Sequence, residues 1–183
     1  MGNEIYKEKN LKSHPKEVLD RILEDLEAFE PHVREGTKTD LCCGNCDVGM
    51  HTNADYFYDL YPAYYFVDQL DLEAPIMPTV HKADNVFMFH ALEHFENPLH
   101  VLMRINDSLL EKHGRLFLAV PDAFYTDEEN GYRPYDESIG HKFQFGNMLL
   151  QALLVQAGYN VLFLDCVKHE PNFHEILAVG EKI

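Results

Sequence analysis

The chain has 183 residues, with 15 Lys and Arg against 31 Asp and Glu, a formal charge of −16, and 46% apolar and 12% aromatic content. Such a length and apolar fraction suit one domain with a sizeable core, and the acidity speaks against a nucleic-acid or anionic-membrane surface, which would recruit Lys and Arg. Four cysteines, two of them adjacent, make no secreted disulfide framework, no apolar run of about 18 residues spans a membrane, and MGNEIYKEKN lacks the apolar stretch of a signal peptide, so a cytoplasmic protein is expected.

Residues 1–12 are polar. Ser13 and Pro15 then mark a helix start, with Val18, Leu19, Ile22, Leu23, Leu26 and Phe29 at helical spacing and Pro31 as the stop. The opposite face, with Asp20, Glu24, Asp25 and Glu27, reads as solvated. Thr39 to Cys43 reads as a short buried strand running into Gly44-Asn45. Ala54 to Asp59 and Tyr64 to Leu70 are aromatic-rich candidate strands parted by Pro62, and Ala83 to Phe89 is a stronger one. A helix is expected from about Pro98 to Lys112, closed by Gly114, and Arg115 to Val120 is the clearest strand, ended by Pro121. The stretch from Asp122 to Lys142 is long and Tyr-rich, the length at which loops serve as lids or stay irregular. A helix from Asn147 to Ala157 follows, and strands from Asn160 to Cys166 and Glu175 to Gly180, joined through Pro171-Asn172, suit an antiparallel pair. Alternating strands and helices that end in a hairpin imply an open, Rossmann-like α/β sheet, mostly parallel, with one antiparallel strand near the C-terminus and helices on both faces.

Open parallel sheets bind ligands beyond the carboxyl ends of their strands. Here those ends carry Cys42–Asn45, Asp59, Asp71–Glu73, Phe89–His90 and Pro121–Asp122. A glycine turn after the first strand lets a ligand approach the backbone, and a carboxylate at a later strand end can accept both hydroxyls of a ribose. The ordered pair points to a nucleoside ligand.

Asp40-Leu41-Cys42-Cys43-Gly44-Asn45 resembles the first motif of class I S-adenosylmethionine-dependent methyltransferases. Asp84 through Phe95, with Leu92-Glu93-His94, resembles the fourth-strand region of the short type 11-like branch. Asn97-Pro98, Gly114-Arg115-Leu116, Val120-Pro121, Gly140-His141-Lys142 and Ala157-Gly158-Tyr159 follow in the same order. The likeness covers roughly residues 36–180, and implies an N-terminal helical segment (1–35) before a methyltransferase-like Rossmann domain (36–183). Two departures stand out. About nine residues part Asn45 from Asp55, so the helix after strand one is expected to be missing, and Cys42 and Cys46 stand where the family has glycines.

By matched position the resemblance places Asp40, Cys42, Gly44 and Asn45 at the methionine end of the cofactor. Asp59 is preferred for the ribose by its spacing to the next acidic motif, while Asp55 fits the spacing from the glycine turn. Asp71 and Leu72 would line the adenine edge, with Phe89 and His90 beneath the sulfonium. His90 and His141 flank the expected mouth and are the candidate acid–base groups, since an imidazole near neutrality can take a proton from a hydroxyl or amine. His90 and His94 have zinc-compatible spacing, but no nearby third ligand stands out and no metal is expected. Glu93-His94 reads equally as a polar anchor for the loop after strand four.

Cys43-x-x-Cys46 has knuckle spacing without a second pair, which favours small buried residues in the turn. Tyr125, Tyr132 and Tyr135 are lid candidates. The expected function is methyl transfer from S-adenosylmethionine to a small-molecule acceptor, with S-adenosylhomocysteine as product. The alternative is a degenerate fold used for binding or assembly, which a cofactor pocket filled by Met50, Tyr56 or Tyr58 would favour.

Overall fold

Seven strands form one sheet in a computed structural model that describes residues 15–122, 126–127, 131–132, 140–169 and 173–183. They are β1 (Lys38–Leu41), β2 (Tyr56–Asp59), β3 (Asp68–Gln69), β4 (Ala83–Phe89), β5 (Leu110–Pro121), β8 (Tyr159–His169) and β9 (Phe173–Lys182); β6 (Thr126–Asp127) and β7 (Gly131–Tyr132) pair separately. The order is β3-β2-β1-β4-β5-β9-β8. From β3 through β5 every pairing is parallel, and β9 alone runs against both of its neighbours. The helices are α1 (Lys16–Phe29), α2 (Asp47–Thr52), α3 (Pro98–Arg104) and α4 (Asn147–Gln156).

Alternation along β4 and β5 divides the core. Phe87 and Phe117 face α1, where Ile22 and Phe29 pack on them with Leu177 and Val179. Phe29 meets Phe89 and Phe117 edge to face at 5.7 and 5.4 Å, and burying each such ring contributes about 1.5–3 kcal/mol. Val86, Met88, Leu116 and Leu118 face the other way, against Leu102, Ile105, Leu150 and Leu154. Helices therefore cover both faces, as the alternating pattern predicts.

Four local expectations are corrected. The crossover after β1 contains a helix, α2, of 6 residues; one and a half turns are too few to show an apolar period. The expected strand from Tyr64 narrows to Asp68–Gln69, because Tyr64 and Phe66 stack in a turn. The helix from Pro98 ends at Arg104, a π-turn covers Ile105–Leu109, and β5 begins at Leu110, which pairs with Ala83, so Gly114 lies inside a strand. Asp25 is buried rather than solvated: at three residues beyond Ile22 and four before Phe29 it lies in the inward stripe. Among the described residues no helix is long and apolar enough to cross a membrane.

Candidate functional site

β1 stops at Leu41 because Cys42 turns into left-handed backbone, φ 58°, and Gly44 (φ 48°) and Cys46 (φ 64°) repeat it. The resulting turn is tied to its neighbours: Cys43 N–H donates to the Tyr58 carbonyl at 3.1 Å, and Gly44 N–H to Asp59 Oδ2 at 2.9 Å. A Cβ built on Gly44 would meet no atom within 4 Å, so its backbone faces open space.

That space is a cavity of about 470 Å³. Asp40, Cys42, Cys43, Gly44 and Asn45 form one wall, Asp47 and Val48 of α2 continue it, Phe89 and His90 close the β4 end, and Val18, Arg21 and Ile22 of α1 lie across it. Six sequence candidates thus meet: Asp40, Cys42, Gly44, Asn45, Phe89 and His90. Asp40 Oδ2 accepts from Gly49 N–H at 2.7 Å. Burial pushes its carboxyl up to about 7, against that hydrogen bond and with help from the charges of Asp47 and Asp59.

The remaining candidates sit elsewhere. Asp59 ends β2 beside the turn, accepting from Gly44 N–H and Tyr61 N–H; a carboxylate offers about four lone-pair sites, so acceptor capacity remains. Asp55 lies at the amino end of the strands, bonded to Lys38 N–H at 2.9 Å, and is not brought to the cavity. Asp71 accepts from Glu73 N–H beyond β3, and Leu72 is buried in the core. Tyr125 and Tyr135 lie outside the described residues, and Tyr132 falls in β7.

His90 and His141 converge on one buried carboxylate. His90 Nδ1, His94 Nε2 and His141 Nε2 stand 4.0, 4.0 and 3.9 Å from Glu93 Oε1. The Glu93 carbonyl also accepts from Lys142 N–H and Phe143 N–H, fastening 140–143 over the β4 end. Burial raises the Glu93 carboxyl, while His90 and His94 oppose that. His141, distant in sequence, is therefore the third member of the Glu93-His94 group.

Sequence reasoning missed Arg21, Val18 and Ile22, which reach the cavity from α1, and Glu175, whose Oε2 lies 2.9 Å from His90 Nε2. The signal for Glu175 was an acidic residue opening the last strand, opposite Pro121 at the carboxyl end of β5. Burial would raise its carboxyl, but the hydrogen bond and charge of His90, then His169 and Arg21, bring it below its ordinary value. Cys43 and Cys46 are buried free thiols with sulfurs 3.4 Å apart; that contact and burial raise the Cys43 pKa, the reverse of an activated thiolate. Met50, Tyr56 and Tyr58 do not fill the cavity. Met50 packs with Cys46 and Phe57, Tyr58 accepts from His81 N–H, and Tyr56 stacks on His81.

No protein-family model and no curated protein sequence matches this chain. Solved structures do match it. A methyltransferase from Thermotoga maritima, described as dependent on S-adenosylmethionine, overlays with a TM-score of 0.66 at 17% identity, over 91% of this chain and 92% of its own. The 1,6-didemethyltoxoflavin-N1-methyltransferase of Burkholderia thailandensis, solved with its substrate and S-adenosylhomocysteine, gives 0.64 at 16% identity, over 91% and 79%. Magnesium protoporphyrin IX methyltransferase of Synechocystis PCC 6803, with bound S-adenosylhomocysteine, gives 0.61 at 12%, over 100% and 94%. With its strand order, its reversed β9 and these overlaps, the chain has the class I S-adenosylmethionine-dependent methyltransferase fold.

Proposed function

We propose that the protein binds S-adenosylmethionine in this cavity and methylates a small-molecule acceptor, releasing S-adenosylhomocysteine. The observation that carries the reading is an open cavity of about 470 Å³ at the carboxyl ends of β1 and β4, walled by the Cys42–Asn45 turn. Its volume suits a drug-sized ligand, and two proteins of the same fold hold S-adenosylhomocysteine.

Bound there, the cofactor supplies an electrophilic methyl group. The turn from Cys42 to Asn45 offers backbone to its methionine end, and Arg21, a guanidinium on the wall, pairs with its carboxylate. Asp59 takes the ribose hydroxyls. His90 stands at the acceptor side: Glu175 Oε2, 2.9 Å from Nε2, favours the hydrogen on that nitrogen and leaves Nδ1 to take a proton from a hydroxyl or amine. Alignment of the acceptor and exclusion of water supply the remainder, with α1 as the cover.

Calorimetric titration with S-adenosylmethionine and S-adenosylhomocysteine tests the reading. Saturable binding that Arg21→Ala weakens is expected, and no heat at millimolar ligand overturns it. Release of S-adenosylhomocysteine in acceptor screens reads the chemistry. Full turnover in both His90→Ala and His141→Ala would remove the acid–base assignments.

A further inference from the structure

Asp25, His169 and Glu175 come from α1, the last residue of β8 and the start of β9, and none of them lines the cavity. All three are buried, with 0%, 3% and 0% of their surface exposed. His169 Nε2 lies 2.6 Å from Glu175 Oε1 and 3.0 Å from Asp25 Oδ1, and one ligand atom from each side chain falls within 4.8 Å of the others. Despite these approaches, His169 Nε2, both Asp25 oxygens and Glu175 Oε1 make no hydrogen bond of normal geometry.

The other ring nitrogen is held from outside the cluster. Glu24 Oε2 lies 2.7 Å from His169 Nδ1, and an ionised carboxylate only accepts, so Nδ1 carries the hydrogen. Nε2 points between the carboxylates of Glu175 and Asp25. Buried carboxylates facing one another are costly unless positive charge joins them. Arg21 does not supply it directly: its Nε stays 4.0 Å from Glu175 Oε1, and its guanidinium lies 3.9 Å from the Phe173 ring centre.

We propose that Asp25 Oδ1, His169 Nε2 and Glu175 Oε1 form a binding site for a divalent first-row transition metal of the zinc or manganese kind. One imidazole and two carboxylates are a donor set for such ions, and their combined charge is balanced by a divalent cation. Both outer partners that such a site needs are present. Glu24 orients His169 through Nδ1, and His90 Nε2 lies 2.9 Å from the second oxygen of Glu175. Bonds of about 2.1 Å set tetrahedral ligand atoms about 3.4 Å apart, so the cluster opens by several tenths of an ångström as the ion enters. The ion would stand one side chain, His90, from the cavity. The site does not depend on the proposed methyl transfer, since the protein alone displays it.

Metal-stripped full-length protein is titrated with Mn²⁺ and Co²⁺, followed by calorimetry, the Mn²⁺ paramagnetic resonance signal and the Co²⁺ visible spectrum. The expected result is one ion per chain at micromolar affinity, Co²⁺ d–d bands without thiolate charge transfer, and a higher Tm. Asp25→Asn and His169→Gln abolish binding. Glu24→Gln, on an exposed side chain that keeps the test alive if the buried variants fail to fold, weakens it about tenfold. Glu93→Gln and Cys43→Ser leave it unchanged. The proposal is overturned by no binding at millimolar metal, by thiolate bands, or by binding that Glu93→Gln removes and Glu24→Gln leaves intact. A protein that takes up no metal while Asp25→Asn becomes more stable holds a shared proton there, and the proposal then fails too.

Discussion

Cys42 and Cys46 hold left-handed backbone, φ 58° and 64°, at the two places where the resembled turn carries glycine. The conformation costs a residue with a Cβ about 1–2 kcal/mol, while glycine returns about 0.5–1 kcal/mol as extra chain entropy in the unfolded state. For Cys42, half-buried on the cavity wall, the net relief of about 0.5–1 kcal/mol is offset by the lost packing of the thiol, so Cys42→Gly is expected to leave the urea midpoint almost unchanged. It also removes a side chain from the wall, and S-adenosylhomocysteine should bind several-fold more tightly by calorimetry. Weaker binding would show that the Cys42 side chain is itself part of the contact. Cys46 is fully buried against Met50 and Phe57, and there the lost packing outweighs the relief. Asp40 carries a second residue-scale consequence. Its carboxyl titrates near 3.8 when unfolded and about 7 when folded. Well below pH 3.8 both states are protonated; between 3.8 and 7 the unfolded state is ionised and the folded state is not, so folding takes up a proton and stability falls as pH rises, with the loss complete above 7. At about 1.4 kcal/mol per pKa unit the penalty is a few kcal/mol. Asp40→Asn should match the natural chain in urea unfolding at about pH 3 and exceed it at about pH 8. Equal stability at pH 8 would mean that the Gly49 N–H already compensates the buried charge.

Among the elements, α2 shows how local pattern and tertiary contact divide the information. Its six residues, Asp47–Thr52, include a glycine and hold no apolar stripe, so sequence pattern alone reads a loop. What makes it a helix is its neighbours: a Cβ on Gly49 would lie 2.3 Å from Phe57 Cε1 and 2.8 Å from Asp40 Cβ. Helix propensity favours Gly49→Ala by about 1 kcal/mol, but overpacking against a buried ring costs about 1–3 kcal/mol. The clash is expected to win, lowering the urea midpoint with an unchanged m-value; a higher midpoint would show that Phe57 has room to move. The same division explains Leu110. Apolar spacing continues the helix from Pro98 through Leu109 and Leu110, yet pairing with Ala83 in the sheet draws Leu110 into β5. Existence and order of the longer elements were legible because their periods are local, and their ends were not, because partners distant in the chain set them.

Across the whole molecule, the rule that ligands meet strand ends located the cavity, and six of the expected residues line it. Arg21 and the Asp25–His169–Glu175 cluster escaped because no spacing links their members; 145 positions separate Glu24 from His169, which it touches. Asp25 reads as part of the solvated face of α1, although its place three residues after Ile22 and four before Phe29 lies in the inward stripe, where a buried acid calls for a partner. The same burial bears on the charge of −16. Ion pairs such as Arg115–Glu181 and Lys142–Glu96 are exposed or half-exposed, and each contributes about 0–1 kcal/mol that salt screens away. Against them stands the repulsion among carboxylates that outnumber all Lys and Arg by two to one, with 31 to 15. That repulsion acts over many pairs within a Debye length of about 10 Å at 0.1 M salt. Screening it should therefore gain more than screening the pairs loses, and Tm is expected to rise by a few degrees as sodium chloride is raised from about 10 mM to 0.5 M. Chloride keeps the test free of the surface-exclusion effect of sulfate. A Tm that falls with added chloride would mean that the paired charges outweigh the excess of carboxylates.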